Sequence, residues 1–172
     1  FNNYNSGSDL FISKISADGS TLLNSTFWGG SKNDGVNKEI YKNYGDHYRS
    51  EVILTDDGSI LVVSSTLSMD VPLVGLNSLD RAQNSQDALV GLFSDDLKTL
   101  YWGRYFGGIN SETGYAAKAF GNKVYITGAT KSNDLPTSIT AHADIRIGEE
   151  DGYVAAFNLS TGNLEYSTYF GT

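Results

Sequence analysis

Asp87-Ala88-Leu89-Val90-Gly91-Leu92-Phe93, followed nine residues later by Trp102-Gly103-Arg104-Tyr105-Phe106-Gly107-Gly108, is one copy of a pattern that occurs three times in this 172-residue chain. Asp9-Leu10-Phe11-Ile12-Ser13-Lys14-Ile15 leads in the same way to Asn24-Ser25-Thr26-Phe27-Trp28-Gly29-Gly30, and Asp151-Gly152-Tyr153-Val154-Ala155-Ala156-Phe157 leads to Tyr166-Ser167-Thr168-Tyr169-Phe170-Gly171-Thr172. In every copy the Asp and the first Gly stand 20 residues apart. A second element repeats between the copies. Ile60–Thr66 runs on to Asp70-Val71-Pro72 and Val124–Thr130 to Asp134-Leu135-Pro136, and each proline precedes the next repeat Asp by 15 residues. A fixed period of this size is the signature of a repeat architecture, in which each unit buries its apolar face against its neighbours.

Each unit reads as four short strands. They are Glu51–Asp56 and Tyr115–Phe120, then Ile60–Thr66 and Lys123–Thr130, then Asp87–Phe93 and Asp151–Phe157, then Thr99–Phe106 and Leu164–Phe170. Asp9–Ile15 and Leu22–Trp28 supply a further third and fourth strand. β-Branched and aromatic residues dominate these runs, and no apolar stripe of helical period appears. Asp57-Gly58 and Gly121-Asn122 sit between first and second strands, where a hairpin needs positive φ. Four antiparallel strands per repeat of fifty or more residues match a propeller blade. The expected fold is all-β, a partial ring of about two and a half blades. An outer half-blade occupies residues 1–30, an inserted loop 31–50, and full blades 51–108 and 109–172, all within one incomplete domain. Ten strands do not close a ring, so further blades, from the same or another chain, are the expected partners.

These repeats resemble the bacterial SBBP family, the seven-bladed β-propeller repeat. The matching residues are Asp9 to Lys14, Asn24 to Gly30, Tyr105 to Gly108, Tyr125 to Gly128, Asp134 to Pro136 and Tyr166 to Gly171. The resemblance covers nearly the whole chain except the insertion and the inter-repeat loops. It implies a secreted or cell-surface bacterial protein, of the kind found in adhesive and gliding organisms.

Composition narrows the function. Twenty acidic residues against 12 basic give a net charge of −8, which repels phosphate backbones and argues against nucleic acid as a partner. Cysteine is absent, which removes disulfides and thiolate metal sites. No run approaches the roughly 18 apolar residues of a membrane helix, so no transmembrane segment is expected.

Glycine pairs such as Gly29-Gly30 lack the Lys-Ser/Thr of a phosphate loop, and the turn reading wins. Asp56-Asp57, Asp95-Asp96 and Glu149-Glu150-Asp151 could offer oxygen to calcium, but none has the spacing of a calcium loop, so no cofactor is expected and solvated turns are the better reading. The repeated Asp9, Asp87 and Asp151 read as structural. Trp28, Trp102, Tyr105 and Phe106, at outer strands, could stack on sugars, but inter-blade packing is the favoured reading.

The insertion Ser31–Ser50 distinguishes the first copy from the second, which covers the same ground with Ile109–Gly114. It carries Tyr41, Tyr44, His47, Tyr48 and Arg49, residue types that anchor interfaces. The rule that aromatics usually bury favours packing of these tyrosines against their own blade; contact with a partner is the alternative. Together with the long loops 67–86 and 131–150, the insertion is expected on one face of the ring. The expected function is a noncatalytic extracellular module for protein or glycan interaction, in adhesion or scaffolding. A glycan-active enzyme on a propeller scaffold and a purely structural spacer are the alternatives. The two histidines, His47 and His142, lie in loops, and no nucleophile motif accompanies them.

Overall fold

A computed structural model describes residues 7–75 and 85–171. Part of the long loop 67–86 and the terminal Thr172 therefore lie outside the described residues. The chain is all-β. Ten strands run in sequence order among the described residues: β1 (Leu10–Ile15), β2 (Leu22–Trp28), β3 (Glu51–Leu54), β4 (Ile60–Thr66), β5 (Asp87–Phe93), β6 (Leu100–Phe106), β7 (Ala116–Phe120), β8 (Lys123–Thr130), β9 (Asp151–Asn158) and β10 (Leu164–Phe170). They form a two-stranded sheet β1-β2 and two four-stranded sheets, β3-β4-β5-β6 and β7-β8-β9-β10. Every pairing is antiparallel and links sequence neighbours. The three sheets are the expected half-blade and two full blades.

One detail of the alignment shifts. The expected equivalence of Glu51 with Tyr115 is one residue out of register, because five residues separate the paired Leu54 and Ile60 whereas four separate the equivalent pair Ala119 and Val124. Val52 pairs with Val62 and Ala117 with Ile126, so Val52 and Ala117 occupy the same place. A one-residue slip inverts every side chain of a strand, so turn length decides which residues of the first strand face which neighbour.

The blades pack through their sheet faces. One core lies between the two full blades and joins Leu61, Val63, Val90 and Leu92 to Val124, Ile126, Tyr153 and Phe157. The other lies between half-blade and first blade and joins Ile12 and Trp28 to Ile60, Val62, Leu89 and Phe93. At each junction the large aromatic that ends the outer strand is thrust into the following blade, and at the second junction Trp102 enters it as well, donating to the Leu159 carbonyl at 2.7 Å. Trp28 sits edge-on to Phe93 at 5.2 Å and over Gly91, where a Cβ would collide with the indole. Phe106 lies 4.9 Å from the Tyr153 ring and 6.0 Å from that of Phe157. Burying one such side chain stabilises by about 1.5–3 kcal/mol. Trp28 and Phe106 are therefore scaffold, in line with the packing reading.

The short turns share one device. Asp18, Asp57 and Asp96 each accept from a backbone N–H two residues on and from a hydroxyl two residues before. These bonds hold the three carboxyls below the usual carboxylate range, Asp18 at about 2, with the bond from the preceding hydroxyl the largest cause in each. Gly19 and Gly58 follow with positive φ, but the third turn places Leu97 there, at φ 58°. Left-handed backbone costs a branched residue about 1–2 kcal/mol. Leu97 is buried in the core beside the half-blade, which offsets that cost.

Candidate interaction surface

The insertion grows from a clamp that joins successive blades. Asp34, four residues beyond Gly30, accepts from the Gly30 N–H at 2.7 Å, from Ser68 Oγ at 2.9 Å and from the Thr66 hydroxyl. Glu112, four residues beyond Gly108, accepts from the Gly108 N–H at 2.8 Å and from Thr130 Oγ1 at 2.6 Å. The next two N–H groups are capped as well. Ser31 donates to Asp70 and Lys32 to Ser68, while Ile109 donates to Asp134 and Asn110 to Ser132. Three consecutive donors at the end of one blade thus meet three acceptors of the next, supplied by Thr66-Leu67-Ser68-Met69-Asp70 or Thr130-Lys131-Ser132-Asn133-Asp134 together with the buried acid. Burial pushes the Asp34 and Glu112 carboxyls above their ordinary values, and the hydrogen bonds oppose that rise.

The clamp also redraws the insertion. Asp34 bridges Thr66 as Glu112 bridges Thr130, so residues 31–35 belong to both copies. From Asp34 to Val52 is 18 positions, against 5 from Glu112 to Ala117, so the extra chain lies between Val36 and Ser50.

That segment is held at its base. Ile40 is buried, and its carbonyl accepts from Tyr115 Oη at 2.9 Å. Asn37 donates through its N–H to the His47 carbonyl at 2.7 Å and through its side chain to the Asp46 carbonyl at 2.5 Å. Lys38 donates to Gln86, which in turn donates to the Glu112 carbonyl. Residues Tyr44–Tyr48 form a short 3-10 helix capped by Asn43, whose side chain accepts from the Gly45 N–H, while Asp46 accepts from the N–H groups of Lys42 and Asn43. Those bonds hold the Asp46 carboxyl below its usual range, the one from Lys42 foremost.

Charged contacts tie the segment to the second full blade. Lys42 Nζ lies 2.5 Å from Glu150, Lys131 Nζ 3.3 Å from the same carboxylate, and Lys131 also donates to the Glu39 carbonyl. The Lys42 hydrogen bond is the main cause of the lowered Glu150 pKa. Arg49 lies 5.3 Å from the centroid of the Tyr115 ring. The insertion is therefore a strap from one blade to the next.

The five residues singled out from sequence divide between base and surface. Arg49 faces Tyr115, and His47 packs 4.0 Å from the Tyr41 ring and 6.3 Å from the Tyr48 ring. Tyr44 is 89% exposed and Tyr48 69%, and Tyr41 also reaches solvent. The self-packing expected from the general behaviour of aromatics is thus performed by Ile40, Asn37 and Asp46, while the tyrosines form a ledge above them.

A scan against models of known protein families finds no match. A search of the curated proteins likewise finds no relative of this chain.

The other long loops behave differently from the insertion. Val74 accepts from the Gly103 N–H, Ser138 donates to the Ser167 carbonyl, and Ala143 accepts from the Tyr169 N–H. These segments run beside β6 and β10 and cover the outer edges of the blades, a protection against edge-to-edge pairing. Of the loops expected to crowd one face, the insertion presents the aromatic ledge.

Among the described residues, no group of three His, Cys, Asp or Glu side chains is placed to hold a metal ion, and no helix is long and apolar enough to cross a membrane. The buried acids Asp34 and Glu112 are engaged in the clamp. Sequence reasoning missed both, although an acid four residues after each Gly-Gly was there to be seen.

Proposed function

We propose that the protein is a noncatalytic recognition module of the bacterial cell surface or extracellular space, in which blades carry the Tyr41–Tyr44–Tyr48 ledge to a protein or glycan partner. The observation that carries this reading is the contrast within the insertion: a base fixed by buried groups and ion pairs, and the Tyr44 and Tyr48 rings left largely in water beside a half-exposed Tyr41. Tyrosine supplies a large amphipathic contact area with few rotamers to freeze, so a pre-held tyrosine ledge binds at low entropic cost. The surface setting and the adhesive or scaffolding role rest on the likeness to SBBP repeats. Further blades, from this polypeptide or another, complete the ring in this reading.

The test presents immobilised protein with panels of purified polysaccharides and purified extracellular proteins. The reading expects binding to a member of one panel, reduced at least about 30-fold by Tyr44→Ala/Tyr48→Ala with the far-ultraviolet dichroism unchanged. Binding unaffected by the double variant, or release of reducing ends from a polysaccharide, overturns it.

A further inference from the structure

The ion pairs of the strap share one orientation. Lys42 is paired with Glu150 and Arg49 with Asp46, and in each pair the cation is the outer member: its side chain is 76% or 52% exposed, against 19% and 11% for the two carboxylates. Glu150 also pairs with Lys131, and Asp46 accepts from the N–H groups of Lys42 and Asn43, so both carboxylates are engaged within the fold. Between Val36 and Ser50 three basic residues, Lys38, Lys42 and Arg49, stand against Glu39 and Asp46, in a chain whose net charge is −8. Glu149, exposed on the neighbouring loop, also acts on the Lys42 charge.

The rings are set among these cations. Tyr41, His47 and Tyr48 form a continuous row, with neighbouring centroids 4.0 Å and 6.3 Å apart, and each terminal tyrosine is followed in sequence by an outward cation, Tyr41 by Lys42 and Tyr48 by Arg49. The large apolar side chains that the strap exposes are all tyrosines, because Ile40 is buried in its base. A protein hot spot seats its aromatics in a desolvated pocket ringed by contacts that exclude water. Tyr44 and Tyr48 stand in water instead, among the exposed Lys42, Asn43 and Gly45. A pyranose ring offers a flat C–H face to an aromatic ring and keeps its rim of hydroxyls hydrated, so it needs no such pocket. A uronic acid adds a carboxylate at that rim, which an outward Lys or Arg meets with a charge-assisted hydrogen bond.

We propose that the ledge binds an acidic polysaccharide of the polyuronate class, with sugar rings against Tyr41 and Tyr48 and carboxylates at Lys42 and Arg49. The proposal rests on the recognition reading of the ledge and narrows the partner which that reading admits. The charge of the chain makes the site selective: an acidic surface repels a polyanion except where cations face outward and their own carboxylates lie beneath them. Rings and cations are both held before the ligand arrives, through the bond from Tyr115 Oη to the Ile40 carbonyl and the bonds from Asn37 to the His47 and Asp46 carbonyls, which keeps the entropic cost of binding low.

Titration of the protein with polygalacturonate and with alginate tests this, each beside its carboxyl-reduced form, with polyglutamate as an acidic polymer that lacks sugar rings. At least one polyuronate binds, its carboxyl-reduced form binds at least about 10-fold more weakly, polyglutamate does not compete with it, and added salt weakens the complex. Lys42→Gln/Arg49→Gln weakens binding at least about 30-fold with dichroism unchanged, whereas Lys98→Gln, at an exposed lysine of the β5–β6 turn, leaves it as it was. No binding of either polyuronate, equal binding of the carboxyl-reduced form or of polyglutamate, or indifference to the double variant overturns the proposal. The polymer comparisons use the parent protein, so they decide the question even where the double variant does not fold. A protein or a neutral glycan held through Tyr44 and Tyr48 while both polyuronates are ignored overturns this proposal and leaves the recognition reading standing.

Discussion

Strands β4 and β8 hold the same place in their blades, yet every residue of β4 is buried while β8 alternates between buried and exposed for most of its length. The sequences Ile60-Leu61-Val62-Val63 and Val124-Tyr125-Ile126-Thr127 differ accordingly: one is apolar on both sides, the other on one. β4 has the half-blade's side on one face and the second full blade on the other, whereas the outer face of β8 opens on the groove beside Phe170. A blade is thus as stable as its neighbours make it, and a repeat array gains stability from each interface formed. Val52 and Leu54 point the same way. They stand where Ala117 and Ala119 stand in the next blade, but no inner strands of the half-blade are among the described residues, and Val52 and Leu54 are exposed.

The sharpest way to break this comparison is to truncate equivalent knobs. Phe106→Ala opens a cavity between two blades and is expected to cost about 3–5 kcal/mol in chemical denaturation. Phe170→Ala, at a position 67% exposed, is expected to cost under about 0.5 kcal/mol. Equal losses would mean that blade stacking is not what stabilises the chain.

A finer version exchanges the two junctions. Gly91→Ala alone drives a methyl into the Trp28 ring and should cost about 1–3 kcal/mol. Adding Trp28→Phe recreates the pairing of Phe106 with Ala155, and the double variant should recover part of that loss, a coupling that a double-mutant cycle measures. Strict additivity would refute the matched sizes.

The clamp carboxyls provide a smaller effect with a defined sign. Asp34 and Glu112 hold protons more tightly folded than unfolded. Their contribution is therefore fully present below the ordinary carboxylate pKa of about 4 and is lost as pH rises through their raised folded values. Glu112→Gln should flatten that part of the melting-temperature profile, and a profile unchanged in slope would contradict the assignment. Smallest of all, Tyr44→Ala and Tyr48→Ala should each leave the melting curve within about 0.5 kcal/mol of the parent, since neither ring covers the core.

The strands, their order and the half-blade were legible in the sequence because the repeated Asp, Gly-Gly and Pro hold fixed distances from one another. The register of β7 was not, because four and five residues between equivalent pairs leave similar apolar runs behind them. The clamp was concealed for a different reason. Asp34 lies at the start of a segment that length alone marks as inserted, although its partners Thr66, Ser68 and Asp70 recur as Thr130, Ser132 and Asp134. The exposure of Tyr44 and Tyr48 depends on Ile40 and Asn37 filling the base of the strap, and no local pattern specifies which aromatic of a loop packs inward.

Amide hydrogen exchange resolved strand by strand tests the central claim that neighbouring blades confer the stability. β4 and β5 should exchange most slowly, β8 and β9 faster, and β1 fastest, because β1 pairs with β2 alone among the described strands. Protection of β1 equal to that of β4, or uniform protection along the chain, would contradict it.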